Sequence, residues 1–329
     1  MKKIKLFVLL SMFCLLLFAC SNVRTGDENN NSNERVNSKN DSVSSSNSSE
    51  SVSNIDYDIL NDSIRNNLKT GQVEIKGFPT LYSPDSGKMI FNATAKKVVI
   101  DWGDGTIEEI ISNGVKRDFS HNYPSGSIQT VTINTENLTY FYTDSYSTDC
   151  YEVRFGDCPY LKELDFDSNS LTVLEINKVK SLKSLFIEDS KLKQLDLSDM
   201  TSLEKFDAFR NRSLSQINLG GLTSLKSLGL YRNTSLKEID VSGLTSLENF
   251  TCYLTMSKIN IKNCISLKDV SFESCYLNTE CLNAIFEDLP VRKDDEKARI
   301  FIGGINSGAS TCDREIATAK GWNVEEDYY

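Results

Sequence analysis

Residues able to do acid–base or metal chemistry are few in this chain of 329 residues, which contains a single histidine, His121. Ser-His-Asp and Cys-His catalysis need a histidine base, and many zinc centres need several histidine ligands. Paired carboxylates such as Asp165 and Asp207 remain candidates for a hydrolase, but such a pair needs a water-excluding pocket that raises the pKa of one acid. We therefore expect no enzyme, no cofactor and no metal site.

Two acids share one tight turn in the segment DWGDGT at residues 101–106. Carboxylates suit Ca²⁺, which prefers oxygen ligands. Aspartates in tight turns more often accept hydrogen bonds from the backbone two residues on. We expect Asp101 and Asp104 to shape this turn, His121 to support it and Trp102 to lie in the core.

A second motif follows the turn, in which His121-Asn122-Tyr123 precedes an alternating strand at residues 130–133. A Trp-Gly-Asp-Gly turn, then His-x-Tyr and a Val-x-Ile strand, resembles the polycystic-kidney-disease (PKD) type of β-sandwich. This resemblance implies a small sandwich domain over residues 72–137, in which His121 has a structural role.

The strongest pattern is a repeat of Leu-x-x-Leu-x-Leu, with apolar replacements, that recurs every 20 to 22 residues. The repeats start at Leu161, Leu182, Leu203, Leu225, Leu247 and Leu267. This is the period and motif of leucine-rich repeats, whose coils stack because no coil can bury its apolar face alone. Similar matches between these starts predict the return side of each coil.

The residue eight positions after each start supports this register. In leucine-rich repeats this side chain turns inward and satisfies backbone groups where the strand ends. The residues at this position are Asn169, Ser190, Asn211, Asn233, Thr255 and Cys275. Upstream, segments 138–141 and 150–155 resemble degenerate coils that fuse the solenoid to the sandwich. We expect about six to eight coils over residues 138–277.

The remaining segment, residues 278–329, is predicted to form an αβ cap over the last coil. A helix is expected over Thr279–Leu289 and a strand over residues 299–302. A second helix would be capped by Thr311 and end at Gly321, since glycine commonly follows the last helical residue.

Outward residues of the first strand in each coil would line the concave side of the solenoid. The candidate ligand-binding residues there are Phe186, Phe209, Arg210, Tyr231, Arg232 and Tyr253. Three of the rings would form one column on adjacent strands roughly 4.8 Å apart. Aromatic residues beside arginine are typical of binding hot spots, and flat rings can also stack on sugars. The alternative is that stacked rings only stabilise the sheet by cross-strand pairing.

Acidic residues at positions 165, 167, 188 and 207 flank this column. A basic or calcium-bridged partner would therefore also fit the concave side. Because these carboxylates lie on an open curved sheet, they favour a binding surface over a hydrolase.

The cysteines permit a disulfide that would hold the C-terminal cap in place. Of nine cysteines, seven follow residue 20. Cys252 and Cys264 occupy apolar positions of the repeat and are expected to pack as small hydrophobic side chains. For the others, we expect Cys312 to pair with Cys275 or Cys281, because export permits disulfides.

The N-terminus reads as an export signal. Lys2, Lys3 and Lys5 precede the apolar run Leu6–Phe18, which is too short to span a membrane comfortably. The ending Leu-Phe-Ala-Cys resembles a bacterial lipobox, which implies cleavage after residue 19 and acylation of Cys20. Serine after that cysteine implies sorting to the outer membrane, with the folded part facing either outward or into the periplasm.

Residues 20–54 are expected to form a disordered tether. From Ser21 to Asn54 there are 34 residues, of which 11 are Ser and 9 are Asn. Such a segment buries too little apolar surface to offset the entropy cost of ordering. As a flexible coil it would span on the order of 30 Å.

The whole pattern predicts a mainly β protein with a formal net charge of −10 and no basic block, which argues against nucleic-acid binding. The module order resembles Bacteroidetes-type leucine-rich-repeat surface lipoproteins with an N-terminal PKD-like domain. This resemblance implies a monomeric, non-enzymatic recognition protein that binds a protein or a glycan at the cell surface. The alternative is a structural spacer or a weak multivalent adhesin.

Overall fold

The computed structural model describes residues 68–79, 87–124, 127–144, 148–167, 170–253, 256–293 and 298–326. The signal segment, Cys20 and the tether lie outside these residues, as do Asn169 and Thr255 of the repeat. Strands make up 44% of the described residues and helices 6%, which confirms the prediction of a mainly β fold.

Eight strands form two facing groups in the first part of the protein. They are β1 (Gln72–Pro79), β2 (Lys88–Thr94), β3 (Lys97–Asp101), β4 (Ile107–Ile111), β5 (Lys116–Asn122), β6 (Gln129–Glu136), β7 (Tyr140–Asp144) and β8 (Thr148–Phe155). One group has the order β8-β1-β6-β3-β4 and the other β5-β2-β7, with antiparallel pairing throughout. Alternate residues of β1 and β2 are buried, as expected for sheets with one buried face.

The repeat forms a β-solenoid of about eight turns, which confirms the predicted solenoid. Its longer strands are β9 (Glu163–Asp167), β11 (Ser184–Glu188), β13 (Lys205–Phe209), β15 (Ser227–Tyr231), β17 (Asn249–Tyr253) and β19 (Asp269–Glu273). Its return strands are β10 (Val173–Glu175), β12 (Gln194–Asp196), β14 (Gln216–Asn218), β16 (Glu238–Asp240) and β18 (Lys258–Asn260). The longer strands pair in parallel, and the first residue of each repeat, such as Leu182 or Leu203, is fully buried.

The sandwich and the solenoid share their sheets. β7 pairs in parallel with β9, so β5, β2 and β7 continue into the parallel sheet of the solenoid as one sheet of 11 strands. On the other side, β10 pairs in parallel with β8. β7 and β8 carry the segments that the sequence indicates as degenerate coils, and they belong to both modules. The buried side chains consequently form one continuous core from Val73 to Trp322.

Inward-turning asparagines satisfy the backbone between neighbouring coils. The Asn211 side chain donates to the carbonyl of Ile187 at 2.9 Å, and Asn233 donates to Ala208 at 3.1 Å. The Oδ1 atom of Asn233 accepts the backbone N–H of Asn211 at 3.0 Å. We call this chain of contacts the asparagine ladder; it places a hydrogen-bond partner beside buried polar groups that water cannot reach.

The C-terminal cap consists of α1 (Thr279–Asp288), β20 (Ala298–Phe301), α2 (Arg314–Thr318) and β21 (Trp322–Glu325). β20 and β21 extend the large sheet in parallel. The second helix is capped by Asp313, whose side chain accepts the N–H of Glu315, and not by Thr311 as the sequence suggested. Asn306 extends the ladder by donating to the carbonyl of Phe272 at 2.6 Å.

The expected pairing of Cys312 with Cys275 or Cys281 is not found: the structure has these three as free thiols, each in contact with a different group. The Cys312 thiol contacts the carbonyl of Ala309, whereas Cys281 contacts that of Ser257. Cys275 instead lies against Cys252. Burial confirms that Cys252 packs inside the solenoid.

Replacing Asn233 by alanine tests the asparagine ladder. The variant leaves the N–H of Asn211 and the carbonyl of Ala208 buried without this partner, so we expect a loss of about 2 to 4 kcal/mol in unfolding free energy. Urea unfolding measures the change. Asn218→Ala is the control, because that side chain accepts one N–H, from Gly220, on the exposed return side and should cost less than about 1 kcal/mol. Equal costs for both variants would contradict the role given to the ladder.

Candidate functional site

Strand register aligns the outward side chains of the solenoid into columns. Glu188 pairs with Phe209, Phe209 with Tyr231, and Tyr231 with Tyr253. The column continues from Tyr253 to Glu273 and, in the other direction, from Glu188 to Asp167. We call Phe209, Tyr231 and Tyr253 the aromatic column; the structure brings them together on three adjacent strands. They lie on the outward face of the large sheet, which we call the concave face after the expectation from the repeat.

All three residues of the aromatic column are half-buried, and two of their rings, those of Phe209 and Tyr231, are in contact. The centroids of Phe209 and Tyr231 lie 6.2 Å apart, with the ring planes tilted by 51°. Burial raises the pKa of Tyr231, whose hydroxyl also hydrogen-bonds Thr251 on the next strand. The rings therefore gain part of their burial from the sheet and keep part of their surface open to the concave side.

Phe186 lies one column over, between Asp165 and Asp207 on the neighbouring strands. The ammonium of Lys205 sits 4.5 Å from the centroid of the Phe186 ring, and it is also 3.0 Å from Asp207. A cation over a ring face adds about 0.5–1 kcal/mol at an exposed position. Lys205 thus covers one face of Phe186, a contact that strand register alone does not indicate.

Arg210 and Arg232 each stand at the end of a strand in the left-handed backbone region, with φ of 59° and 56°. Their N–H groups donate to the carbonyls of Tyr231 and Tyr253 on the next strand. The Arg210 guanidinium pairs with Asp189 at 3.1 Å and its Cζ lies 5.8 Å from the Phe209 ring centroid. The structure thus places Arg210 beside the aromatic column, with its charge partly compensated.

Three carboxyls on β9 and β11, namely Asp165, Asp167 and Glu188, form what we call the acidic cluster. Burial raises the pKa of Asp165 to about 6, and Glu163 and Asp167 add to the increase. Burial likewise raises the pKa of Glu188 to about 7, aided by Asp167 and opposed by Arg210. Close carboxylates cannot all ionise at low cost, so this end of the concave face holds protons near neutral pH.

The concave face extends beyond the solenoid onto the sandwich, which sequence reasoning missed. Tyr140 and Tyr142 of β7 pair with Glu163 and Asp165 of β9. The Lys116 ammonium donates to the Tyr140 hydroxyl at 3.1 Å and lies 4.3 Å from the ring centroid. The alternating Tyr-Phe-Tyr after Leu138 could have indicated this strand. Which strands pair with it could not be predicted, because that depends on the sheet shared by the sandwich and the solenoid.

Gly229 leaves room for the side chain of Asp207 in the centre of the same face. It occupies an outward position between Asp207 and Thr251. A Cβ at this position would meet the Asp207 Oδ1 atom at 2.0 Å, so the carboxylate of Asp207 lies over the glycine. A polar group is thereby held beside the aromatic column, and a glycine in an outward repeat position was the sequence signal for it.

His121, the single histidine of the sequence, lies on β5 and packs against the turn around Trp102. Asp101 accepts the N–H of Gly103 at 3.0 Å, and Asp104 accepts that of Thr106 at 2.9 Å. The His121 Nε2 atom is 2.7 Å from the Asp104 carboxylate, and its ring stacks on Trp102 with centroids 5.0 Å apart. Every one of these contacts supports the turn.

Among the described residues, no group of three or more His, Cys, Asp or Glu side chains could hold a metal ion. Within the same residues, no helix has the length and apolar character needed to cross a membrane.

Comparison with known proteins adds no relative. No protein-family model, no curated protein and no solved structure matches this chain. The function must therefore be argued from the residues of the concave face.

Asp104→Asn tests the cluster at the turn. The bond to His121 lowers the pKa of Asp104 to about 2 from an ordinary value of 3.8. The ionised carboxylate thus stabilises the fold above about pH 4, and this contribution disappears as the pH falls through 2. We expect Asp104→Asn to melt at a lower temperature than the wild type at pH 7, with a difference that shrinks toward pH 2. Asp118→Asn, at an exposed position, serves as the control; a difference independent of pH would refute the argument.

Glu188→Gln tests the acidic cluster, where we expect the substitution to increase stability and not to lower it. The pKa of Glu188 is raised from 4.5 to about 7, so its ionisation opposes folding as the pH rises from 4.5 through 7. The full shift corresponds to about 3 kcal/mol, and partial solvation reduces the expected gain of the variant at pH 8 to about 1 to 2 kcal/mol. The two proteins should be equally stable below pH 4.5.

Glu204→Gln is the matched control for that measurement. Hydrogen bonds from Lys183 and Lys226 lower the pKa of Glu204 to about 2, so the ionised form stabilises the fold at neutral pH. Urea unfolding at pH 8 should show Glu188→Gln more stable than the wild type and Glu204→Gln less stable. A loss of stability in both variants would contradict the assigned environment of Glu188.

Proposed function

We propose that this protein is a non-enzymatic, membrane-anchored recognition protein that binds a protein or glycan ligand on the concave face of its solenoid. The observation that carries this proposal is the aromatic column, Phe209, Tyr231 and Tyr253, on three adjacent outward positions. Large rings supply most of the binding energy in many interfaces, and they can also stack on sugar rings.

The surroundings of the column support selective binding. The acidic cluster lies at one end and Glu273 at the other, while the carboxylate of Asp207 lies over Gly229 between them. Apolar rings next to hydrogen-bonding groups suit a ligand with both apolar faces and polar edges. A solenoid sheet presents such groups as an extended surface, which fits a macromolecular ligand.

The positions of the carboxyls favour binding over hydrolysis. Asp165 and Asp207 lie on strands separated by β11, so two strand spacings, roughly 10 Å, divide their backbones. A retaining glycosidase holds its two carboxyl groups about 5–5.5 Å apart, so this spacing argues against that arrangement. An inverting pair, about 6.5–9.5 Å apart, would need a water-excluding pocket, which an open sheet does not provide. The Asp207 carboxylate is also 3.0 Å from the ammonium of Lys205, which occupies it in an ion pair.

The proposal includes an anchor on the N-terminal side. The lipobox-like ending at Cys20 and the Ser/Asn-rich segment that follows it suggest an outer-membrane lipoprotein with a flexible tether. The Trp-Gly-Asp-Gly turn and the repeat motif support membership among Bacteroidetes-type leucine-rich-repeat surface lipoproteins with a PKD-like domain. In this scheme the sandwich is a spacer that presents the solenoid as a monomer.

A spacer or weak multivalent adhesin is the second candidate, and one observation favours it. The Tyr231 hydroxyl bonds Thr251, and Lys205 covers a face of Phe186, so some concave aromatics already take part in sheet packing. If packing is their whole role, their loss would affect stability and not binding.

A binding screen with the full-length chain in detergent separates the two candidates. The probes are a panel of polysaccharides and a panel of extracellular-matrix proteins. We expect one probe to bind, and the variant Phe209→Ala/Tyr231→Ala/Tyr253→Ala to bind it at least about tenfold more weakly, because central rings are typical hot spots. Thermal melting of the same samples reports stability.

The control variant is Tyr160→Ala/Tyr276→Ala, which removes two exposed rings from outside the concave columns. It should bind like the wild type. Retained binding by the triple variant together with a lower melting temperature would favour the packing role. Absence of binding in both panels would favour the spacer.

A further inference from the structure

Two cysteines meet in the core of the solenoid, near its C-terminal end. The sulfur atoms of Cys252 and Cys275 are 3.0 Å apart, and both residues have no exposed surface. Cys252 is the last apolar residue of its repeat on β17, and Cys275 follows β19 in the next coil. The two cysteines are 23 positions apart in the sequence, which corresponds to about one turn of the solenoid.

The asparagine ladder explains why the two thiols meet. Asn211, Asn233 and Asn306 each reach the carbonyl of the last inward strand residue in the preceding coil. Cys275 occupies this ladder position, and its thiol lies 3.5 Å from the carbonyl of Cys252. Backbone geometry that repeats along the solenoid therefore directs the Cys275 side chain to residue 252, which in this coil is itself a cysteine.

We propose that Cys252 and Cys275 form a disulfide bond that joins two neighbouring coils of the mature protein. The oxidant is an external disulfide, either of a small thiol or of a thiol–disulfide exchange protein. One cysteine thiolate attacks it and releases the first thiol; the second thiolate then attacks the mixed disulfide and releases the second. The two protons lost by the cysteines end on the two released thiols, so the exchange balances.

The timing of the reaction follows from burial. Burial and the neighbouring Cys275 hold the pKa of the Cys252 thiol well above its ordinary value, so the folded protein offers no thiolate there. The bond must form while the chain folds or opens locally. Once formed, it is shielded from reductants by the same burial.

The other thiols in this region have different neighbours. Cys264 donates to the carbonyl of Val241 at 2.9 Å, while Cys281 and Cys312 contact the carbonyls of Ser257 and Ala309. These three residues do not compete for the Cys252–Cys275 pair in the folded protein.

The bond would rigidify one end of the concave face. Tyr253 follows Cys252 directly, and its outward neighbour on the next strand is Glu273, two residues before Cys275. A covalent link between these coils holds the end of the aromatic column against the cap. The inference is independent of the ligand that the face binds, but it requires the oxidising compartment that export provides.

Peptide mapping of the full-length chain tests the proposal. The chain is unfolded under reducing conditions, refolded with oxidised and reduced glutathione, and its remaining thiols are blocked with N-ethylmaleimide. Trypsin should then release peptide 238–258 joined to peptide 269–292, a pair that separates on reduction. Finding both peptides blocked by N-ethylmaleimide would overturn the proposal.

Because peptide 269–292 contains both Cys275 and Cys281, the variant Cys281→Ser/Cys312→Ser assigns the bond. The linked pair should persist in this variant, whereas a link that disappears would place the bond at Cys281 and overturn the proposal. Cys252→Ala should abolish the link. If that variant fails to fold, the Cys281→Ser/Cys312→Ser map still decides.

Stability gives a second readout on the same samples. A link across one 23-residue turn should raise the melting temperature of the oxidised protein by on the order of 5 to 10 °C over protein refolded with reductant. The shift should persist in Cys281→Ser/Cys312→Ser. Equal melting temperatures for the oxidised and reduced proteins would contradict the proposed link.

Discussion

No coil of this solenoid can bury its own apolar side chains, because each contributes one strand of leucine-type residues that is covered only by its neighbours. A stack of such coils has two open ends, and each end needs a cover of different construction. At the start, β7 and β8 complete the sandwich and also serve as the first coil, so antiparallel sheets continue into the parallel one. At the other end, β20, β21 and two short helices close the stack, with Trp322 in the core. One core runs through the three parts, so the loss of either cover would expose the apolar face of a coil.

The same stacking sets a second condition, since each coil brings backbone polar groups into the interior where its strand ends. The side chains of Asn211, Asn233 and Asn306 meet this condition with direct hydrogen bonds to the preceding coil. Residues such as Arg210 and Arg232 adopt positive φ values next to these positions, so the chain turns sharply while its N–H still reaches the next strand. In these coils, hydrogen bonding of the buried backbone and apolar stacking both recur once per turn, which accounts for the 20- to 22-residue period of the sequence.

The sequence predicts those features that recur with the repeat. The 20- to 22-residue period indicates the solenoid, and it places Phe209, Tyr231 and Tyr253 in the column where the structure has them. The period does not predict contacts that depend on side-chain conformation or on the junction between the sandwich and the solenoid. The contact of Lys205 with the Phe186 ring and the ion pair of Arg210 with Asp189 both depend on side-chain rotamers. Lys116 contacts Tyr140 because β5, which carries Lys116, belongs to the antiparallel part of the shared sheet. The repeat period does not predict this arrangement. The cysteine pairing was mistaken because it was reasoned from position in the cap, whereas the coil geometry sets the neighbour of Cys275.

The concave face also contains neighbouring like charges, which destabilise the fold. Asp165, Asp167 and Glu188 lie close together on adjacent strands, where like charges destabilise a sheet. Burial and mutual repulsion raise the pKa values of Asp165 and Glu188 to about 6 and 7, so the fold is weakened when they ionise. Elsewhere the protein avoids such conflicts: Lys183, Glu204 and Lys226 alternate in charge along three consecutive coils and form ion pairs. Natural sequences keep uncompensated conflicts chiefly at functional sites, because a ligand can supply what the fold lacks. A cationic group placed on the acidic cluster would favour the ionised carboxylates, so binding there would release protons near neutral pH and would strengthen as the pH rises.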